Sequence, residues 1–128
     1  MKTLIIAMII LAGSTFIAAQ TTERIEVKNG GQKVSKNGRI TVKFVELIED
    51  SRCPADVNCV WAGIARIKVR LIRGRKTSEV ELNTMDKKST LFHGWTFALT
   101  DLQPRQSTTS KYSPSAYTAT ITVSRPKT

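Results

Sequence analysis

Three segments of this chain alternate apolar and polar residues, and that alternation limits its fold more than any other feature. Ile40, Val42 and Phe44 are separated by Thr41 and Lys43; Ile67, Val69 and Leu71 by Lys68 and Arg70; Tyr117, Ala119, Ile121 and Val123 by Thr118, Thr120 and Thr122. A period of two with one apolar face marks a strand lying between core and solvent. Shorter strands are expected at 24–28, 78–83 and 95–102. Turn signals separate them at Asn29-Gly30-Gly31, Asn37-Gly38, Arg73-Gly74 and His93-Gly94. No stretch beyond residue 19 sustains a helical period. The expected fold is all-β: a small antiparallel β-sandwich with Greek-key-like connections, with a small β-barrel as the alternative.

The first residues set the expected compartment. Lys2 precedes a wholly apolar run at 4–11, and Ala18-Ala19 precedes Gln20, the layout of a secretory signal peptide over 1–19. The apolar run is shorter than the about 20 residues that span a bilayer as a helix. No other stretch is a candidate span. Residues 20–128 then form a single secreted domain, periplasmic or extracellular, large enough for one modest core. The whole chain carries a formal charge of +10, and only Lys2 of it lies in the leader.

One hairpin can be placed to the residue. With Gly74-Arg75 as a two-residue turn, Arg70 faces Glu79 and Lys68 faces Glu81 on one side. Val69 faces Val80 and Ile67 faces Leu82 on the other. Glycine first in the loop suits a type II′ turn, whose twist matches the flanking strands. Arg66, Lys68, Arg70, Arg73, Arg75 and Lys76 also form a basic run. Part of it is answered by Glu79 and Glu81; the rest, joined by the basic excess after residue 86, suggests affinity for polyanions. The candidate contacts are Arg66, Arg73, Arg75, Lys76, Lys87 and Lys88. No aromatic platform is interleaved with them, so specific nucleic-acid recognition is not expected.

Cys53 and Cys59, six positions apart in an exported chain, are expected to form a disulfide. Closing so short a loop stabilises by only about 2 kcal/mol on chain entropy. The spacing is not the Cys-x-x-Cys of a thiol oxidoreductase. Zinc lacks ligands, since His93 is the only histidine. Calcium could use Glu49, Asp50, Asp56 and Asn58, but their spacing matches no calcium loop, and Asp50 or Asp56 paired with Arg52 is the simpler reading. No metal or other cofactor is expected. Asp50, Arg52, Pro54, Asp56, Asn58 and Trp61 are the candidate interaction residues, although Trp61 is first expected as a core plug beside the disulfide.

The run Asp50-Ser51-Arg52-Cys53-Pro54, then Asp56-Val57, then Cys59-Val60-Trp61-Ala62-Gly63 resembles a motif of small exported bacterial proteins and lipoproteins of uncharacterised function. The likeness extends to 39–49, 65–71, Leu102-Gln103-Pro104 and Tyr117, about half of the chain beyond the leader. This chain lacks the lipid-attachment cysteine of the anchored members. The resemblance implies export and a shared fold, and carries no activity.

A Ser-His-Asp arrangement would need His93, with Asp101 as a candidate acid, and no nucleophile elbow surrounds a serine. Residues 105–116 are long for a connection in a compact domain, the kind that is either functional or mobile. Tyr117 after them is a candidate corner tyrosine, its hydroxyl returning to nearby backbone. The expected function is a non-enzymatic exported binding module, a monomer contacting a protein or an anionic envelope polymer. The alternative is a secreted protease inhibitor or a small hydrolase.

Overall fold

The computed structural model describes residues 22–125; the expected leader at 1–19 lies outside them. Eight strands are present among these residues: β1 Glu23–Lys28, β2 Gln32–Val34, β3 Thr41–Asp50, β4 Ala65–Arg73, β5 Lys76–Asn83, β6 Ser89–Phe92, β7 Trp95–Gln103 and β8 Thr118–Ser124. They form two four-stranded antiparallel sheets, β1-β8-β7-β6 and β2-β3-β4-β5. The expected sandwich is therefore present. Two strands, β2 and β6, go beyond those expected from sequence; both are short edge strands with no alternating apolar face.

The connectivity departs from a Greek key. No strand is skipped: β2 to β5 follow one another across one sheet, β6 to β8 across the other, and β1 closes on β8. A Greek key needs a strand returning past its neighbours by a long connection. Here each strand packs beside its predecessor, giving barrel-like order in a flattened, two-sheet shape. Backbone hydrogen bonds tie the corners, with Gly30 N donating to Phe44 O and Leu99 N to Lys88 O.

The alternating residues form the core between the sheets. Ile25, Val42, Phe44, Val69, Phe97 and Ile121 are among those at 5% exposure or less. The β4–β5 hairpin has the expected register: Arg70 lies opposite Glu79, Val69 opposite Val80 and Ile67 opposite Leu82, with Arg73 opposite Lys76 across the turn. In β3 the period changes. Register shifts between Phe44 and Glu46 and between Leu47 and Glu49 set Phe44, Leu47 and Asp50 opposite the inward residues Val69, Ile67 and Ala65. Two bulges turn a period of two into three. They carry the last residue of the strand, an aspartate, inward.

The outer face of β3-β4-β5 holds a ladder of ion pairs. Arg66 lies 3.2 Å from Glu49 and 3.7 Å from Glu81, Lys68 3.2 Å from Glu46 and 3.9 Å from Glu79, and Arg70 3.3 Å from Glu79. Half-exposed pairs of this kind stabilise little individually. Their consequence is that Arg66, a candidate polyanion contact, already has two carboxylates beside it.

Candidate functional site

Residues 51–64 join β3 to β4 at one end of the sandwich, where residues 84–88 and 104–117 also lie. The first part of this connection prolongs the hairpin: Ser51 N donates to Ile64 O at 2.7 Å and Cys53 N to Ala62 O at 2.9 Å. Gly63 makes the prolongation fit. Its φ is +72°, and a Cβ there would lie 1.9 Å from Ser51 O. Beyond it the chain turns outward, and Cys53 and Cys59 are bonded as expected, with Cα atoms 5.8 Å apart.

Asp50 and Arg52 do not face solvent. Their side chains are 5% and 12% exposed, and the guanidinium forks onto the carboxylate, Nε to Oδ1 at 2.8 Å and Nη2 to Oδ2 at 3.0 Å. Arg52 also donates to Leu102 O at 2.7 Å and Pro104 O at 3.1 Å. The fully buried Tyr117 donates its hydroxyl to Asp50 Oδ2 at 2.5 Å and accepts from Gln106 Nε2 at 2.8 Å. The corner role expected for Tyr117 is thus corrected: its hydroxyl bonds side chains of two other segments, not nearby backbone. A buried charge pair is tolerable only when its remaining donors and acceptors are also satisfied. Among the described residues no buried side-chain polar atom lacks a partner.

This network sets the ionisation states. Burial alone would raise the Asp50 carboxyl, but hydrogen bonds from Arg52 and Tyr117 outweigh it and hold it below the usual aspartate range. Burial, reinforced by the hydrogen bond to Asp50, pushes the Tyr117 hydroxyl up. Glu23 is likewise lowered, burial being outweighed by hydrogen bonds from Ser35 and the Lys36 and Asn37 amides. For a carboxyl depressed in the folded state, the stabilisation is complete above the unfolded value of about 4 and is lost as pH falls through the folded value. Stability is therefore expected to hold down to about pH 4 and to decline below it. Asp50→Asn should flatten that decline in acid titrations followed by circular dichroism; an unchanged acid limb would place the loss elsewhere.

The stapled loop is held from below by residues 104–117. Arg105 Nε donates to Cys53 O at 3.0 Å and Ala55 N to Gln106 O at 3.0 Å. Thr108 N donates to Asp56 Oδ1 at 2.9 Å, and its hydroxyl to Asp56 Oδ2; these bonds lower the Asp56 carboxyl. The long connection is a support for the loop. Two shallow grooves flank Arg52. One of about 450 Å³ is lined by Gly63, Met85, Lys88, Asp101 and Arg105, the other of about 400 Å³ by Pro54, Gln106, Thr108 and Lys111.

The candidate interaction residues therefore separate. Asp50, Arg52 and Asp56 hold the loop in place, and Pro54 within it is half-buried. Asn58 and Trp61 face solvent. Trp61 is 63% exposed and no core plug, and the unanticipated Val60 beside it is fully exposed. The buried groups next to this segment in sequence are instead the polar Asp50 and Arg52. The oxygens considered for calcium diverge: Glu49 turns to Arg66, Asp50 to Arg52 and Asp56 to Thr108. Among the described residues no three His, Cys, Asp or Glu side chains converge on a metal position. His93 and Asp101 sit towards opposite ends of β7, about 20 Å of strand apart, so they form no dyad. The polyanion candidates also separate, with Arg73, Arg75 and Lys76 at the far end of the sandwich and Lys87 and Lys88 at this one.

No protein-family model matches the chain, and no curated protein and no solved structure matches it. No helix among the described residues is long and apolar enough to cross a membrane.

Proposed function

We propose that this chain is an exported, non-enzymatic binding module that offers its disulfide-stapled loop, with Val60 and Trp61 exposed just after the bridge, to a protein partner. The observation that carries this reading is a large exposed aromatic on a segment braced by a disulfide, a buried ion pair and the 104–117 connection. Tryptophan is enriched among the residues that dominate protein interfaces. A loop held in one shape before contact loses little conformational entropy on binding. The bonded cysteines are compatible with an extracytoplasmic location, as the leader-like residues 1–19 and the resemblance of the loop motif to exported proteins suggest. Asp50, Arg52, Asp56, Arg105 and Tyr117 at this end are engaged with one another or with the loops they brace, which favours binding over hydrolysis.

A braced loop of this form also suits a protease inhibitor, in which case the partner is a protease. Both versions are tested by one experiment. Wild-type protein and the Val60→Ala/Trp61→Ala variant are immobilised and exposed to envelope and culture-medium fractions, and retained proteins are then measured in purified form. A partner whose affinity drops at least about tenfold in the variant, equal to about 1.4 kcal/mol, is expected. Equal retention by the two proteins would contradict the reading.

A further inference from the structure

The end of the sandwich opposite the stapled loop gathers cations that lie far apart in the chain. The register pairs Thr41 with Ile72, Thr96 with Ser124 and Glu23 with Val123. The β2–β3 turn, the β4–β5 hairpin tip, the β6–β7 turn and the residue after β8 therefore share one end. On it lie Lys36, Arg39, Arg73, Arg75, Lys76 and Arg125, all exposed. None of the six takes part in an ion pair among the described residues, unlike Arg66, Lys68 and Arg70 on the sheet face. The one acid brought there by the register is Glu23. Its carboxylate is occupied by the Ser35 hydroxyl at 2.7 Å and by the amides of Lys36 and Asn37.

This end is also ordered from within. Arg125 lies over the Trp95 ring at 5.5 Å from its centre, and Gly38 packs so closely on that indole that a Cβ would lie 2.6 Å from its nitrogen. Trp95 thus joins the turn carrying Lys36 and Arg39 to the cation after β8. The hairpin tip with Arg73, Arg75 and Lys76 stands two strand spacings away, about 10 Å. Six like charges so close, with the Glu23 carboxylate beside Lys36 as the one acid to offset them, repel one another, and a bound polyanion relieves that repulsion.

We infer that this end of the sandwich binds a linear anionic glycan, gripped through its sulfate or phosphate groups by these six cations. The inference is independent of the loop reading, and either can fail alone. A glycan is favoured over nucleic acid because single-stranded nucleic acid is held by exposed aromatic rings as well as charge. The exposed tryptophan and tyrosine, Trp61 and Tyr112, lie on the connections at the other end; at this end Trp95 is covered by Arg125, and Phe92 and His93 pack edge to face on each other.

Heparin, immobilised and in solution, is the probe. Wild-type protein should elute above physiological salt, with affinity falling steeply as salt rises. The variant Lys36→Gln/Arg39→Gln/Arg125→Gln should elute markedly earlier, its slope of log affinity against log salt reduced by about three, one for each cation neutralised. Arg73→Gln/Arg75→Gln/Lys76→Gln, on a different hairpin, should do the same. The control Lys87→Gln/Lys88→Gln/Lys111→Gln removes equal charge from the opposite end and should keep the wild-type slope. Equal losses in all three variants would assign the binding to net charge and overturn the inference. Wild-type elution at or below physiological salt, or tighter binding to a single-stranded oligonucleotide than to a heparin fragment of equal charge, would overturn it too.

Discussion

Arg52→Ala is expected to lower the unfolding free energy by about 3–5 kcal/mol, the range for removing one partner of a buried ion pair. The substitution leaves the Asp50 carboxylate charged inside the fold and takes the donor from Leu102 O and Pro104 O. It also severs the side chain that links the end of β3 to the 104–117 connection. Total stabilities of domains this size run to about 5–15 kcal/mol, so the loss approaches unfolding. Arg52→Lys should rescue little, because an ammonium cannot fork onto a carboxylate and reach two carbonyls as well. Tyr117→Phe, which removes one hydrogen bond, should cost about 1–2 kcal/mol. Urea unfolding measures all three. A loss below about 1 kcal/mol for Arg52→Ala, the scale of an exposed pair, would mean that water reaches these groups.

Gly63→Ala should be nearly as damaging, at about 3 kcal/mol. A residue with a side chain held at positive φ is strained by about 1–3 kcal/mol. The new Cβ would also meet Ser51 O at 1.9 Å and Arg52 Cα at 2.8 Å, both backbone atoms. Ser51 must move, and its hydrogen bond to Ile64, a net contribution of about 1 kcal/mol, goes with it. Gly74→Ala is the control. Its φ is also positive, but nothing lies within 4 Å of the added carbon, so only the strain remains. Equal midpoint shifts for the two variants in thermal unfolding would show that the clash with Ser51 contributes nothing.

The strands and the β4–β5 register were legible in the sequence because several signals agreed. Around Gly74-Arg75, turn chemistry, apolar pairing and charge pairing all select one alignment, and a slip of one residue spoils all three. The stapled end was harder to read. Charged residues beside a disulfide suggest a solvent-facing loop, yet Asp50 is carried inward by two bulges that alternation alone does not reveal. Its partners Arg52 and Tyr117 are 2 and 67 residues away. A tyrosine opening the last apolar-alternating segment was the available signal, and it pointed to the right residue with the wrong partner. Trp61, an aromatic beside a disulfide, suggests a core plug, yet it stands 63% exposed. The basic end shows the limit of counting charge along the chain. Lys36, Arg39 and Arg125 are brought together by strand pairing, while Arg66, within the most conspicuous basic run, is neutralised by Glu49 and Glu81.

The stapled loop is held by what lies beneath it, and Val60 and Trp61 stand exposed to solvent. Urea unfolding of the Val60→Ala/Trp61→Ala variant against the wild type tests this most directly. Substitutions that remove no internal contact stay within about 0.5 kcal/mol of the parent, and that is the expected result. A loss of about 3–5 kcal/mol, as for a tryptophan cut from a packed core, would make Trp61 part of the fold and contradict the account.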